Sequence, residues 1–226
     1  MNNELMTAIA SRLDNYKGKT ISDLFVEFDV ASTAKSKFEI LISRMLMING
    51  KLNSKDIFKK HNLLFKTIRK NIKNKVVESM SLPSFKFMDL YNLEWNQSSL
   101  YKMFNDNTFV FMVFKDTKEG YVFEKYLFWK ADESLINGPL FETWNKTKEA
   151  ITNGNIVKEM QNKGGRTVLK THFPGMSFNG VCHVRPHARN ANDTDKLPVP
   201  DKVTGLTDFT KQCFWLNNSF INKLVE

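Results

Sequence analysis

The chain has 226 residues, 42% of them hydrophobic and 19 of them Phe, which is enough for a substantial core; ten Gly and six Pro are too few for a disordered or fibrous chain. The formal charge of +9 favours a polyanionic partner. No apolar run approaches a membrane span, and the N-terminus has no signal-peptide pattern. A cytoplasmic protein is therefore expected, with Cys182 and Cys213 as free thiols.

In chain order, residues 4–16 place Leu5, Ile9, Leu13 and Tyr16 on one helical face. Thr20 introduces a short helical turn with Leu24 and Phe25 inward. A third helix is expected from about Lys35 to Ile48, with Ser36 and Glu39 at capping-box spacing and Asn49-Gly50 as its stop. Phe38, Leu41, Ile42, Met45 and Leu46 form its apolar stripe. Asp56 to Arg69 reads as a loop feeding a strand. Met80 to Phe85 reads as a connector. Thr108 to Phe114 is a continuous apolar strand covered on both faces, and Val122 to Trp129 a strand that pairs with it. Pro139 opens a helix carrying Phe141, Trp144, Thr147 and Ile151, which Asn153-Gly154 closes. Short strands follow at Val181–Arg185 and Gln212–Leu216. The polar segment Asn190 to Thr207 reads as a mobile loop. With no repeat and no long linker, one α/β domain over residues 1–226 is expected, a central mixed β-sheet flanked by helices.

Charge is concentrated around the first strand. Lys51 to Lys75 holds nine Lys or Arg against a single acid, Asp56. A solvated face would read the same way, but phosphate contact is favoured because the block surrounds a strand with nuclease-like spacing. Within that strand, Leu64 and Lys66 point to the same side. A metal-dependent nuclease needs an acid at the first of these positions to hold Mg²⁺ and a lysine at the second to steady the attacking water. Leucine supplies no ligand. Lys163-Gly164-Gly165-Arg166 is a basic turn that could touch a DNA backbone.

The order of pieces resembles the MutH-like endonucleases, closest to their GATC-cutting type II restriction enzymes. The segments carrying the resemblance are Lys17-Gly18-Lys19-Thr20-Ile21-Ser22-Asp23-Leu24, Lys35 to Ile42, Phe65-Lys66-Thr67-Ile68-Arg69, and Leu127-Phe128-Trp129. Trp144 with Ile151 and Gly154, Val184-Arg185-Pro186-His187-Ala188, and Cys213-Phe214-Trp215-Leu216-Asn217 complete the set. The resemblance implies a restriction-endonuclease-like core. It also implies an active site made of a helix glutamate, an aspartate, a strand glutamate and a lysine. Those positions fall on Ser43, Ile57, Leu64 and Lys66, so only the lysine matches.

In the GATC restriction enzymes of this family, a catalytic copy is followed by a second copy that binds GATC and regulates the first. The emptied acid positions make this chain resemble that second copy. It would then be an allosteric effector domain with no cofactor and no cleavage of its own, beside a catalytic MutH-like domain of the same parent polypeptide that uses Mg²⁺. Its partner would be double-stranded DNA containing GATC. The resemblance maps DNA recognition to Arg185 and His187, which flank Pro186, and to Trp215, which can meet DNA or serve as core. Lys59, Lys60, Lys66 and Arg69 are candidate phosphate contacts, Lys66 also being readable as a leftover of the lost site. The alternative is an active Mg-dependent GATC endonuclease with relocated acidic ligands, Asp56 with Glu39 or Glu78.

Overall fold

The computed structural model describes residues 3–34 and 36–226, with backbone alone at Lys163 and Arg166. The expected start of the third helix at Lys35 and the charged side chains of the basic turn lie outside the described residues. The helices and strands run in the order α1 (Asn3–Asp14), α2 (Ile21–Glu27), α3 (Lys37–Met45), α4 (Asp56–Lys60), β1 (Leu63–Lys70), β2 (Met80–Phe85), α5 (Phe87–Asn92) and α6 (Ser99–Asp106). Next come β3 (Thr108–Thr117), β4 (Gly120–Trp129), α7 (Glu133–Leu135), a wide turn at Ile136–Leu140, α8 (Phe141–Thr152), β5 (Val157–Lys163) and β6 (Arg166–Thr171). The chain finishes with β7 (Cys182–Pro186), β8 (Thr194–Lys196), β9 (Asp208–Thr210), β10 (Gln212–Leu216) and α9 (Asn218–Leu224). The fold is mixed α/β. Among the described residues the strands form two three-stranded sheets and two two-stranded ladders rather than one central sheet.

Chain contacts divide the molecule into two compact units. The first comprises residues 1–78, 106–130 and 224–226. Its sheet is mixed, with β3 central, parallel to β1 and antiparallel to β4. Seven consecutive residues from Thr108 to Phe114 are buried, as the unbroken apolar run requires. One face of β3 presents Val110, Met112 and Phe114 to the cluster that holds Leu13, Leu24, Leu41 and Met45 from α1–α3. On the other face Phe111 stacks with Trp129 and Phe109 packs against the same ring at a tilt.

Local signals hold in part. Thr20 caps α2, its side chain accepting from the Asp23 amide. The capping box at Ser36 does not form, because the Ser36 side chain makes no cap hydrogen bond. α3 also stops at Met45, before Asn49-Gly50; Met47 takes a positive φ of 57° and turns the chain earlier. The segment from Asp56 is a helix, α4, and not a loop. Lys66 lies in the middle of β1.

One member of the basic block faces inward. Lys70 is 1% exposed, its Nζ 3.1 Å from Glu124 Oε2 and donating to the Val225 carbonyl at 2.9 Å. Burial makes this pair structural, and removing one partner leaves a stranded charge.

The second unit comprises residues 79–105 and 131–223. Its three-stranded sheet is antiparallel, with β10 between β2 and β7. Met80–Phe85 is thus an edge strand rather than a connector. Pro83 is tolerated because the β2–β10 register shifts between Cys213 and Trp215, and proline is confined to edges and bulges. The hairpin β5–β6 turns through Gly164 and Gly165, both at positive φ. α8 buries Trp144, Thr147 and Ile151, and Gly154 follows it at φ +58°. The segment Asn190 to Thr207 is tied down, contrary to expectation. β8 within it pairs with β9, and buried Asp201 accepts from the amides of Ile156, Val157, Val203 and Thr204.

Glu124→Ala should therefore lower stability by about 2 kcal/mol, the exposed part of Glu124 softening the penalty for a stranded Lys70. Lys70→Met should cost less, since an apolar side chain needs no counter-charge. Urea unfolding of both variants measures the difference.

Candidate nucleic-acid interface

The first unit holds the residues that the resemblance places at the acid and lysine positions of a nuclease site. Ser43 is buried on α3, its hydroxyl 2.9 Å from the Glu39 carbonyl and 3.0 Å from that of Gly50. It is engaged by backbone carbonyls of its own helix and of the turn that follows it. Ile57 is exposed on α4. On β1, Leu64 and Lys66 are half-buried two residues apart, as period-two alternation requires. Among the described residues no group of three His, Cys, Asp or Glu side chains is arranged to hold a metal ion.

Lys59 and Lys60 are exposed on the last turn of α4. There the helix dipole favours cations, and both can meet phosphate. Arg69 is half-buried and pairs with Glu78 at 2.9 Å. A pair this exposed contributes little to stability, but it engages both Arg69 and one of the acids that could have been relocated.

In the second unit three of the mapped residues meet. β7 and β10 run antiparallel with Cys213 opposite Arg185 and Trp215 opposite His183. Alternation sends His183 and Arg185 to the same face as Cys213 and Trp215, while Val184, Phe214 and Leu216 are buried on the other. The Arg185 guanidinium carbon lies 3.7 Å from the centroid of the Trp215 ring. The His187 ring meets the same indole edge-on at 5.6 Å. Arg185, Pro186 and His187 are exposed and Trp215 is half-buried. The tryptophan is thus partly a platform and partly core.

The stack suits an arginine that reads a base. A guanidinium spends its face on the indole and keeps its N–H donors in the plane of the fork. Those in-plane donors match O6 and N7 of guanine.

Four residues near this face were not singled out by the sequence. His183 is 2% exposed, and its Nδ1 lies 2.5 Å from Asn217 Oδ1. Burial lowers its pKa from the usual value, an effect the Asn217 hydrogen bond opposes and the Arg185 charge reinforces. Asp193 and Lys211 fix the loop after β7. Lys211 Nζ sits 2.5 Å from Asp193 Oδ1, the Arg189 amide donates to Asp193 Oδ2 at 3.1 Å, and the His187 amide donates to the Lys211 carbonyl at 2.9 Å. The Lys211 hydrogen bond, helped by the Arg189 amide, holds the Asp193 carboxyl down at about 2. The signal for His183 was alternation itself, since it stands two residues before Arg185 on the same strand.

No family model matches the sequence. The chain is homologous to the type II restriction enzyme Sau3AI of Staphylococcus aureus, 29% identical over 246 aligned residues. The match takes in 96% of this chain and 50% of that enzyme, so the chain spans about half the enzyme's length. No helix among the described residues is long and apolar enough to cross a membrane.

Asp193 supplies a pH dependence of known sign. Its folded pKa is depressed to about 2 from an ordinary 3.8. The unfolded chain therefore takes up the proton first as pH falls, and this residue's contribution is present above about 3.8 and lost on the way to about 2. Denaturant unfolding at stepped pH should show a steeper loss across that window in the native chain than in Asp193→Asn.

Proposed function

We propose that this chain binds double-stranded DNA specifically at GATC and does not cut it, serving as the allosteric effector domain of a type II restriction endonuclease. The observation that carries the recognition reading is the Arg185 guanidinium laid on the Trp215 ring with His187 beside it. It supports a base-reading surface on the second unit. The exposed lysines of α4 support a separate, sequence-independent hold on phosphate. Homology to a type II restriction enzyme supports DNA as the partner.

Silence toward DNA is supported by the residues at the degenerate positions. Ser43 is committed to backbone carbonyls. Ile57 and Leu64 offer a metal no oxygen. The Mg²⁺ chemistry would belong to the catalytic copy, to which this domain would be tethered in one polypeptide. The relocated-acid alternative has less to draw on, since Glu78 pairs with Arg69.

The test is binding by the purified chain to short duplexes. GATC duplex should bind more tightly than scrambled duplex, and both affinities should fall with salt at a log–log slope of about −0.9 per neutralised phosphate. Arg185→Ala should remove roughly 1–3 kcal/mol of discrimination at one base pair, whereas Lys59→Ala or Lys60→Ala should weaken all sequences alike. Equal affinity for the two duplexes would end the recognition reading. Incubation with supercoiled plasmid in Mg²⁺ or Mn²⁺ should leave it intact. Reproducible cleavage abolished by Asp56→Ala would instead favour the relocated-acid enzyme.

The effector role has its own measurement. In the full-length enzyme, a plasmid with two GATC sites should be cut faster than one with a single site. A short uncleavable GATC duplex added in trans should stimulate the single-site plasmid. Tethering makes capture of the second site intramolecular, and activation requires DNA to bind this domain more tightly in the active arrangement. Equal rates with no response to the duplex would reduce the domain to an extra DNA clamp.

A further inference from the structure

The Trp215 ring that carries Arg185 has no hydrogen-bond anchor of its own. Its Nε1 is buried without a partner among the described residues. Something else must fix the plane of the indole. The residue directly opposite it across the β7–β10 ladder is His183. The two rings lie within 21° of parallel with centroids 6.3 Å apart, an offset stack.

His183, unlike Trp215, is tethered. Its Nδ1 meets Asn217 Oδ1 at 2.5 Å, and the Asn217 amide nitrogen donates to the Met176 carbonyl at 2.8 Å. That second bond settles which end of the amide faces the imidazole. An Asn oxygen only accepts, so the imidazole carries its proton on Nδ1. The ring can no longer turn about its χ2 without breaking a buried hydrogen bond.

Burying an imidazole here has a cost that an apolar residue would avoid. His183 is 2% exposed and its Nε2 has no partner among the described residues. A leucine or phenylalanine would fill the same space without a desolvated nitrogen. What the histidine adds is a ring whose orientation is fixed by a hydrogen bond.

We propose that His183 is the positioning residue of the recognition face: tethered through Asn217, it sets the plane of the Trp215 ring and thereby the direction of the Arg185 guanidinium. This inference rests on the GATC-recognition reading. Holding the arginine before DNA arrives removes rotamer freedom that binding would otherwise have to remove. A misdirected fork loses the bidentate base contact but keeps its charge. Sequence preference should therefore suffer while the general attraction to phosphate survives.

The experiment uses the full chain with GATC and scrambled duplexes, measuring affinity by anisotropy, thermal midpoint by calorimetry and tryptophan emission without DNA. His183→Phe keeps a ring and removes the tether. His183→Asn keeps a donor for Asn217 and removes the ring. Asn217→Ser leaves both rings in place and serves if the His183 variants unfold. Each folded variant should lower the GATC-to-scrambled affinity ratio by at least about fivefold, the lower edge of what one bidentate base contact contributes. Affinity for scrambled duplex should stay within about twofold of the native value, since the phosphate contacts are untouched. The emission attributable to Trp215, taken against Trp215→Phe, should shift in each. A native preference for GATC that folded variants retain would overturn this inference alone. A parallel loss of both affinities would assign His183 a merely structural role and overturn it too. Equal affinity of the native chain for both duplexes would remove the recognition reading and this inference with it.

Discussion

The register of β10 against β7 is the constraint on which the proposed recognition face depends. Side chains alternate along a strand, so a slip of one residue would exchange its two faces. With Trp215 opposite His183 and Cys213 opposite Arg185, the stack forms on one side while Phe214 and Val184 stay buried on the other. The apolar set would have to face outward for the slipped pairing to form, and its burial supplies the energy that forbids it. Phe214 packs against Phe85 of the edge strand at 4.9 Å, adding aromatic contact on the buried side. The site is thus held in register by residues buried on the opposite face of the sheet.

A second constraint separates the charges by task. Lys70 is buried against Glu124 and the Val225 carbonyl and contributes to the fold of the first unit. Lys59 and Lys60 stand exposed on α4 and are available to a polyanion. The block of nine cations read from the sequence is therefore not one surface. Arg69, paired with Glu78, stands between these cases. A half-exposed ion pair is weak enough to be exchanged for a phosphate.

The strong periodic elements were legible in the sequence, because their pattern is what burial demands. The apolar run at 108–114, its partner strand, the helix after Pro139 and the two strands near the C-terminus all fall within a few residues of expectation. The elements that were not legible share a cause: their stability comes from residues distant in sequence. Pro83 argues against a strand until the bulge opposite Cys213 and Trp215 is known. Asp201 looks like a loop acid until it gathers amides from Ile156 and Val157, more than forty residues away. Ser36 and Glu39 have the spacing of a capping box, yet spacing does not make the hydrogen bond. For the site, the Arg185-Pro186-His187 segment and Trp215 were found through resemblance, whereas His183 and Asn217 were missed. His183 belongs to no motif, Asn217 closes one in which only Trp215 was given a role, and what joins them is a hydrogen bond between residues 34 apart in sequence.

These separations bear on regulation. The phosphate attraction from α4 is the same on any DNA, so it cannot tell an enzyme that a GATC site has been found. An effector that answers to sequence must draw its coupling energy from the sequence-dependent part of binding alone. On the proposed reading that part would lie with the few residues around the Trp215 ring. A rigid platform has an advantage there over a flexible arginine. If Arg185 were free, specific binding would first have to order it, and the energy left to shift a neighbouring domain would shrink by that amount. Stacked in advance, the arginine of the proposed effector would leave the larger share of each base contact available for coupling. On the proposed effector role the hydrogen bond from His183 to Asn217 would then matter beyond its own small contribution to stability, because it would set how much of the recognition energy is passed on.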